Sequence, residues 1–476
     1  MVNARLPYFA IWLALAVPSV AAAADWPVFG HEPARSGAVY DDRSITASNV
    51  ARLRFRWRTK LGDVADSTPI FISHVNIHGK QRSLLFQTAK NGTNYGIDAR
   101  TGEILWRFVT HGPNITTSTP AADPSGRWIY APGVDGFVHK IDAASGAEIR
   151  EHGFPVRITL MPESEKDASP MNVANGYLYA VTSGYFGDAP PYDGHVVSIR
   201  LDDGATHVFN TLCSEVRSLP TASSCSRNGS GIWARAGAVV DSDPAMHGRV
   251  YVTTGNGDFN AHSGGHDYGD SVLALTADGA SLLDYYTPES YDELQSGDTD
   301  MGSTAPALLP REAHSRTPLM LVQGGKDEIL RLLDRAHLPG LGGELQRIDI
   351  GAALYSAPAV WQDPSRRTWV LLGLANGLRA YRLQTDAHGT SRLLHIWDAS
   401  AGESPEGSSP IVAGGVVFVA TNGAIHAIDA RGGHELWNSA RTQHSIAGIH
   451  WQSPVLVNGW LYCADEDGYL TAYAIR

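Results

Sequence analysis

The chain has 476 residues, a formal net charge of −12 and 18% charged residues. A nucleic-acid surface needs clustered Lys and Arg to neutralise phosphates, so this balance argues against one. With 49 Gly and 12 Trp, the mixture is turn-rich and aromatic-rich and suits an all-β chain.

In chain order, MVNARLPYFAIWLALAVPSVAAAAD has Arg5, then an apolar run from Phe9 to Val17, then small residues through Ala24. It reads as a secretory signal over 1–24, with cleavage expected before Asp25. The first cysteine is Cys213, so no lipid-anchor cysteine follows the signal. No later apolar run reaches the roughly 18 residues that a membrane helix requires. An exported protein, periplasmic or secreted, is expected.

Residues 50–60, VARLRFRWRTK, form an orphan alternating strand ending in Trp57. A unit then recurs at about fifty-residue spacing, opening with a Ser/Thr-x-Pro or Ser-Pro element and continuing with short alternating strands. The openings are STPIF (Ser67), STPAA (Ser118), SPMNV (Ser169), TAPAL (Thr304), SAPAV (Ser356), SSPIV (Ser408) and QSPVL (Gln452). A fourth copy without the proline runs GIWARAGAVV from Gly231, which makes eight units. Tails such as YGIDARTGEILW (95–106) and HAIDARGGHELW (426–437) supply a Gly for a positive-φ corner and a Trp (Trp106, Trp437) to wedge between neighbours.

Three or four short strands per unit is the content of a propeller blade, and period-2 alternation excludes a helical solenoid. The expected architecture is one eight-bladed β-propeller over 25–476. Its last unit stops at TAYAIR without an outer strand, so residues 50–60 are expected to complete that blade and remove an open edge.

Cys213 and Cys225 flank a polar loop and are expected to form a disulfide in an oxidising compartment. Cys463, within WLYCAD, reads as a buried apolar residue. In VYVTTGNGDFN (250–260), Asn256 between two glycines reads as the corner of a tight hairpin. His262 and His266, in a Gly-rich insertion, read as a solvated loop. No Cys-x-x-Cys-His, Gly-x-Ser-x-Gly or Walker-type motif occurs, so own covalent haem, hydrolase and nucleotide chemistry lack support.

The A-x-x-x-G-x-x-x-W tails, the eight units and the opening WPVFGHEPARSG (26–37) resemble the pyrroloquinoline-quinone (PQQ) alcohol dehydrogenases and their eight-bladed relatives, with the polyvinyl-alcohol-dehydrogenase type the nearest-looking branch. The resemblance implies that Trp233 is the floor on which the quinone lies. It implies that Asn256 gives a side-chain oxygen to a calcium ion, a hard cation that takes amide and carboxylate oxygens. SGDTDMGSTAP (296–306) matches the segment carrying a general base near the metal, with Asp298 the first choice and Asp300 the second. Such a base takes the alcohol proton while hydride moves to the quinone. Lys326 in GGKDEILRLLDR falls where a cation contacts the quinone oxygens, and Ser183-Gly184 falls at the cofactor edge.

Two departures accompany the resemblance. The family's adjacent cysteine pair is missing near 116–126, and Tyr185-Phe186 follows Ser183-Gly184 where a calcium-binding Glu is expected. Only Asp188 in that loop offers a substitute carboxylate. The implied function is oxidation of an alcohol or sugar with PQQ and transfer of electrons to a separate haem protein or quinone. The alternatives are a non-catalytic scaffold that binds envelope proteins and a degenerate quinoprotein without cofactor.

Overall fold

A computed structural model describes residues 25–404 and 406–475; the signal-peptide reading of 1–24 lies outside the described residues. The chain forms an eight-bladed β-propeller of four- and five-stranded sheets. The first sheet is typical. Ile70–Ile77, Lys80–Thr88, Thr93–Asp98 and Ile104–Val109 pair in sequence order, each antiparallel to the next. Residues 84–88 of its second strand and the whole of its third are buried, because each sheet lies between two others.

The first strands of successive sheets approach one another, as Ile70–Ile77 does Ala121–Ala122 and Ile411–Ala413 does Val455–Val457. This places them around a common axis. The recurring hydroxyl before each proline acts there. Ser118 donates to the Ser169 carbonyl at 2.8 Å and Thr304 to the Ser356 carbonyl at 2.8 Å. Each hydroxyl therefore fastens one blade to the next while satisfying a buried carbonyl.

A second set of contacts acts farther out. The Trp106 indole donates to the Ala143 carbonyl of the following blade at 3.0 Å and lies over Gly146. At Gly146 φ is +72°, and a Cβ would come within 2.6 Å of the ring, so only glycine meets both demands. Trp57 repeats this on Gly102, with its indole donating to the Ala99 carbonyl at 3.2 Å. Trp437 packs edge-on against Tyr473 of the eighth blade.

The eighth sheet takes its fourth strand from Leu53–Lys60, which pairs antiparallel with Tyr469–Ile475. One continuous core contains Leu53 and Trp57 of this strand, Leu85 and Ile97 of the first sheet, and Val455 and Leu461 of the eighth. Cys213 and Cys225 form a disulfide, and Cys463 is fully buried. Among the described residues no helix is long and apolar enough to cross a membrane.

One local expectation is corrected. Asn256 does not turn a tight hairpin: Val250–Thr253 pairs with Val272–Leu275, and the whole stretch from Thr254 to Ser271 joins them. Gly255, Asn256 and Gly257 all avoid positive φ. Their small size serves close approach instead. A Cβ on Gly255 would lie 2.8 Å from Trp233 Nε1 and 2.9 Å from Asp300 Oδ1, and one on Gly257 would lie 2.7 Å from Ser230 Cβ. The solvated-loop reading of His262 and His266 agrees with their exposure, and His262 stacks on Phe259 at 5.2 Å.

Candidate functional site

A cavity of about 580 Å³ receives side chains from blades all round the ring, a position that only the axis offers. It falls in the size range of cofactor and small-ligand pockets. Every residue singled out from the sequence as a site residue borders it: Ser183, Gly184, Trp233, Asn256, Asp298, Asp300 and Lys326.

Trp233 precedes the inner strand of the fourth blade. Its ring lies 6.3 Å from Tyr355 and 6.0 Å from Trp451, and Lys326 Nζ is 5.0 Å from the ring centre. The indole Nε1 donates to Asp300 Oδ1 at 3.2 Å. Asp300 is fully buried, just ahead of a 3-10 turn, Met301–Ser303. Burial pushes its carboxyl above the ordinary range, against the pull of Lys326. Lys326 Nζ lies 2.6 Å from Asp300 Oδ2 and 2.7 Å from Asp298 Oδ1. Burial disfavours the lysine charge, but the two carboxylates outweigh it and raise its pKa.

Asp298 caps the short helix Tyr291–Gly297 in the left-handed region at φ +50°. Its side chain is 72% exposed at the mouth, whereas that of Asp300 is 0% exposed. The two candidate bases thus differ sharply in access to solvent and substrate. The end of the Asn256 amide lies 2.9 Å from Asp300 Oδ2 and 3.1 Å from Asp298 Oδ1. Turned with nitrogen toward the carboxylates, the amide donates to both. Turned with oxygen toward them, it completes three converging oxygens, a donor set that suits a hard cation.

Of the two residues that follow Ser183-Gly184, Phe186 is fully exposed and offers no oxygen, and the Tyr185 hydroxyl donates to the Pro162 carbonyl at 2.9 Å. Asp188 of the same loop accepts from the Tyr192 hydroxyl at 3.1 Å, and both border the cavity. The residues present therefore fit a flat aromatic ligand on Trp233 and a cation held by Asn256, Asp298 and Asp300, without the family's Glu.

The cavity also has a wall that the motif search missed. Lys90 pairs with Asp66 at 2.8 Å, and His450 Nδ1 is 3.2 Å from Asp66 Oδ2. Glu406 binds Arg235 at 2.9 Å and faces His450 Nε2 at 3.5 Å. The Trp451 indole donates to His450 Nε2 at 2.7 Å, and Arg235 stacks on Trp451 at 4.4 Å. Asp66 and Glu406 lift the His450 pKa to about 8 against the effect of burial. A signal for this wall does exist in the sequence. Asp66, Thr117, Tyr355, Glu406 and Trp451 each stand one or two positions ahead of a recurring Ser/Thr-Pro opening, and these positions point at the mouth.

Residues 26–337 match the family described as "Glucose/ethanol/alcohol dehydrogenase, beta-propeller domain". The chain belongs to this PQQ-type propeller family. Its last part, residues 394–476, matches the family described as "Outer membrane protein assembly factor BamB". No curated protein matches the sequence. Among solved structures, the chain is similar to a quinohemoprotein alcohol dehydrogenase from Comamonas testosteroni, with 15% identity, a TM-score of 0.66 and coverage of 95% of this chain and 80% of that one. A europium-containing methanol dehydrogenase gives 15% identity, a TM-score of 0.64 and coverage of 95% and 98%. BamB from Moraxella catarrhalis gives 12%, 0.55, 89% and 99%. At these identities the likeness is one of fold.

Proposed function

We propose that the protein is an exported quinoprotein oxidoreductase, a single propeller over 25–476, that oxidises a small alcohol or sugar with PQQ and passes the electrons to a separate haem protein or quinone. The observation that carries this reading is the convergence of Trp233, Asn256, Asp298, Asp300 and Lys326 in one axial cavity. A propeller that only presents a binding surface has no need of two carboxylates that each lie within 3.1 Å of both an amide and a lysine.

When bound, PQQ supplies a carbonyl that accepts hydride. The residues of this chain do the rest. Trp233 offers its ring face to a flat ligand, a contribution of about 1 kcal/mol beyond area burial. Asp298, exposed at the mouth beside Lys326, accepts the alcohol proton and exchanges it with solvent. Asp300 holds the Trp233 indole and Lys326, and with Asn256 and Asp298 it provides oxygens for the cation. Calcium is the first ion proposed; the similarity in fold to a europium-containing methanol dehydrogenase makes a lanthanide the second to test.

The test is reconstitution of the purified chain with PQQ and either ion, followed by dye reduction with a panel of alcohols and sugars. Turnover together with quenching of tryptophan fluorescence supports the reading; neither signal in any combination rejects it. The match of 394–476 to an assembly factor motivates the second reading, an envelope scaffold. That reading gains if the chain captures envelope proteins and leaves PQQ unbound. Cell fractionation and N-terminal sequencing test export and cleavage before Asp25.

A further inference from the structure

Residues 26–37 cross the ring as a strap. Trp26 exchanges backbone hydrogen bonds with Phe71, Pro27 accepts from Ala122, Pro33 from Val240 and the Asn172 amide, Ser36 from Val360 and Gly37 from Val412. The strap thus holds the inner strands of the first four blades and of the sixth and seventh. Arg35 turns inward from it, 3% exposed, and its guanidinium donates to the carbonyls of Phe29, Pro170 and Met171. Three other buried arginines each pair with a carboxylate: Arg235 with Glu406, Arg331 with Asp327 and Arg335 with Asp241. Arg35 has no such partner among the described residues, and burial lowers its pKa to about 9. A guanidinium withdrawn from water without a counter-ion is an unfavourable arrangement that a bound anion relieves.

One donor of this arginine is left over. Its Nε has no hydrogen-bond partner among the described residues, and neither have the Trp26 indole Nε1 and the Thr68 hydroxyl; all three atoms are shut off from solvent. Trp26, Arg35 and Thr68 line one small internal cavity of about 10 Å³, the space of a single water-sized atom. Ser409 and Ser453 line it as well. Their oxygens accept the backbone N–H groups of Ala357 and Ser409 at 2.9 and 3.2 Å, which leaves both hydroxyl protons to give. Guanidinium and indole nitrogens only donate, so the uncommitted groups here are rich in donors and carry one positive charge. A water molecule brings two hydrogens that need acceptors, whereas an anion needs none.

We propose that Trp26, Arg35 and Thr68 form a binding site for one monatomic anion, a halide of the size of chloride, which gives Arg35 its counter-charge and ties the strap to the first blade. The size of the cavity excludes sulfate, phosphate and organic acids. It shares no lining residue with the axial cavity, so halide binding here is independent of the quinone reading.

The experiment begins with the full chain dialysed exhaustively into sodium methanesulfonate, a salt whose anion is too large for the cavity. Ion chromatography of the denatured protein then reads any chloride retained. Thermal unfolding is followed as sodium chloride replaces the methanesulfonate at constant ionic strength. A ligand bound only by the folded state raises the melting temperature along a binding curve. The expected result is either one chloride retained per chain or a rise with chloride, matched by bromide and absent with sulfate. Thr68→Val and Trp26→Phe each keep the shape and remove one donor, so each should weaken halide binding by about tenfold. Crystals grown in bromide need no variant: an anomalous peak is expected between Arg35 Nε, Trp26 Nε1 and Thr68 Oγ1. The proposal is overturned if chloride is neither retained nor more stabilising than methanesulfonate, or if both variants bind halide as the wild type does. A cavity holding only water in the bromide crystals also overturns it.

Discussion

Asp300 accepts a hydrogen bond from the Trp233 indole through Oδ1 at 3.2 Å while its Oδ2 lies 2.6 Å from Lys326 Nζ. One buried carboxylate therefore fixes the proposed cofactor floor of the fourth blade to the cation of the fifth. Trp233→Ala removes the ring face and should weaken PQQ by about fivefold from stacking alone, with more from lost area. Asp300→Asn keeps the shape but removes the charge, so the Lys326 pKa should fall and cation binding should weaken. Titration calorimetry with calcium and with PQQ separately checks both effects.

Asp298 and Asp300 share Lys326 but differ in exposure, and this separates their roles. Asp298→Asn should lower turnover by about 10²- to 10⁴-fold, the range for loss of a general base, and leave PQQ quenching close to that of the wild type. Asp300→Asn should reduce quenching and turnover together. Turnover retained by Asp298→Asn would transfer the base role to Asp300.

Gly255 tests whether the close packing under the floor matters. An added methyl would meet Trp233 Nε1 at 2.8 Å and Asp300 Oδ1 at 2.9 Å, so Gly255→Ala must push the two apart. Overpacking of this kind destabilises by about 1–3 kcal/mol. A lower melting temperature together with weaker PQQ quenching is expected, whereas alanine at the fully open Gly264 should leave PQQ quenching unchanged. Quenching that survives Gly255→Ala would show that the Trp233–Asp300 contact is not needed for binding.

Stability should fall with rising pH across the mildly acidic range. Burial raises Asp167 and Asp193 from 3.8 to about 7 in the folded state. The folded protein therefore holds protons that the unfolded chain releases above pH 3.8, and this contribution, full below that pH, is lost as pH rises to about 7. Urea unfolding between pH 4 and 7 should show the decline, and Asp167→Asn and Asp193→Asn should each flatten it. An unchanged slope in both variants would place the linkage elsewhere.

The repeat carried the fold openly in the sequence. The Ser/Thr-Pro openings and the Gly-to-Trp tails recur because each blade must bind its neighbour in the same two ways. Ser118 holds the Ser169 carbonyl near the axis, and Trp106 covers Gly146 farther out. Periodic contacts demand periodic residues, so counting openings gives the number of blades. Matching motifs also found the residues around Trp233, since Asn256, Asp298 and Lys326 lie in segments with a distinctive order.

For the wall made by Asp66, His450 and Glu406, the sequence marks only the positions, each just ahead of a recurring opening; which of them pair could not be read, because they come from the first, eighth and seventh blades. Nor could the sequence show that Asp298 is exposed and Asp300 buried. They stand two positions apart, and only the short helix ending at Gly297 and the turn after Asp300 send one to solvent and the other under Trp233. The Asn-Gly pair misled for a related reason: local propensity describes a turn, whereas Gly255 is small because two side chains from other segments pass where its Cβ would be. The sequence by itself determined the number of blades and how they join. Tertiary structure decided which side chains meet at the axis, because burial and close approach are set by neighbours far away along the chain.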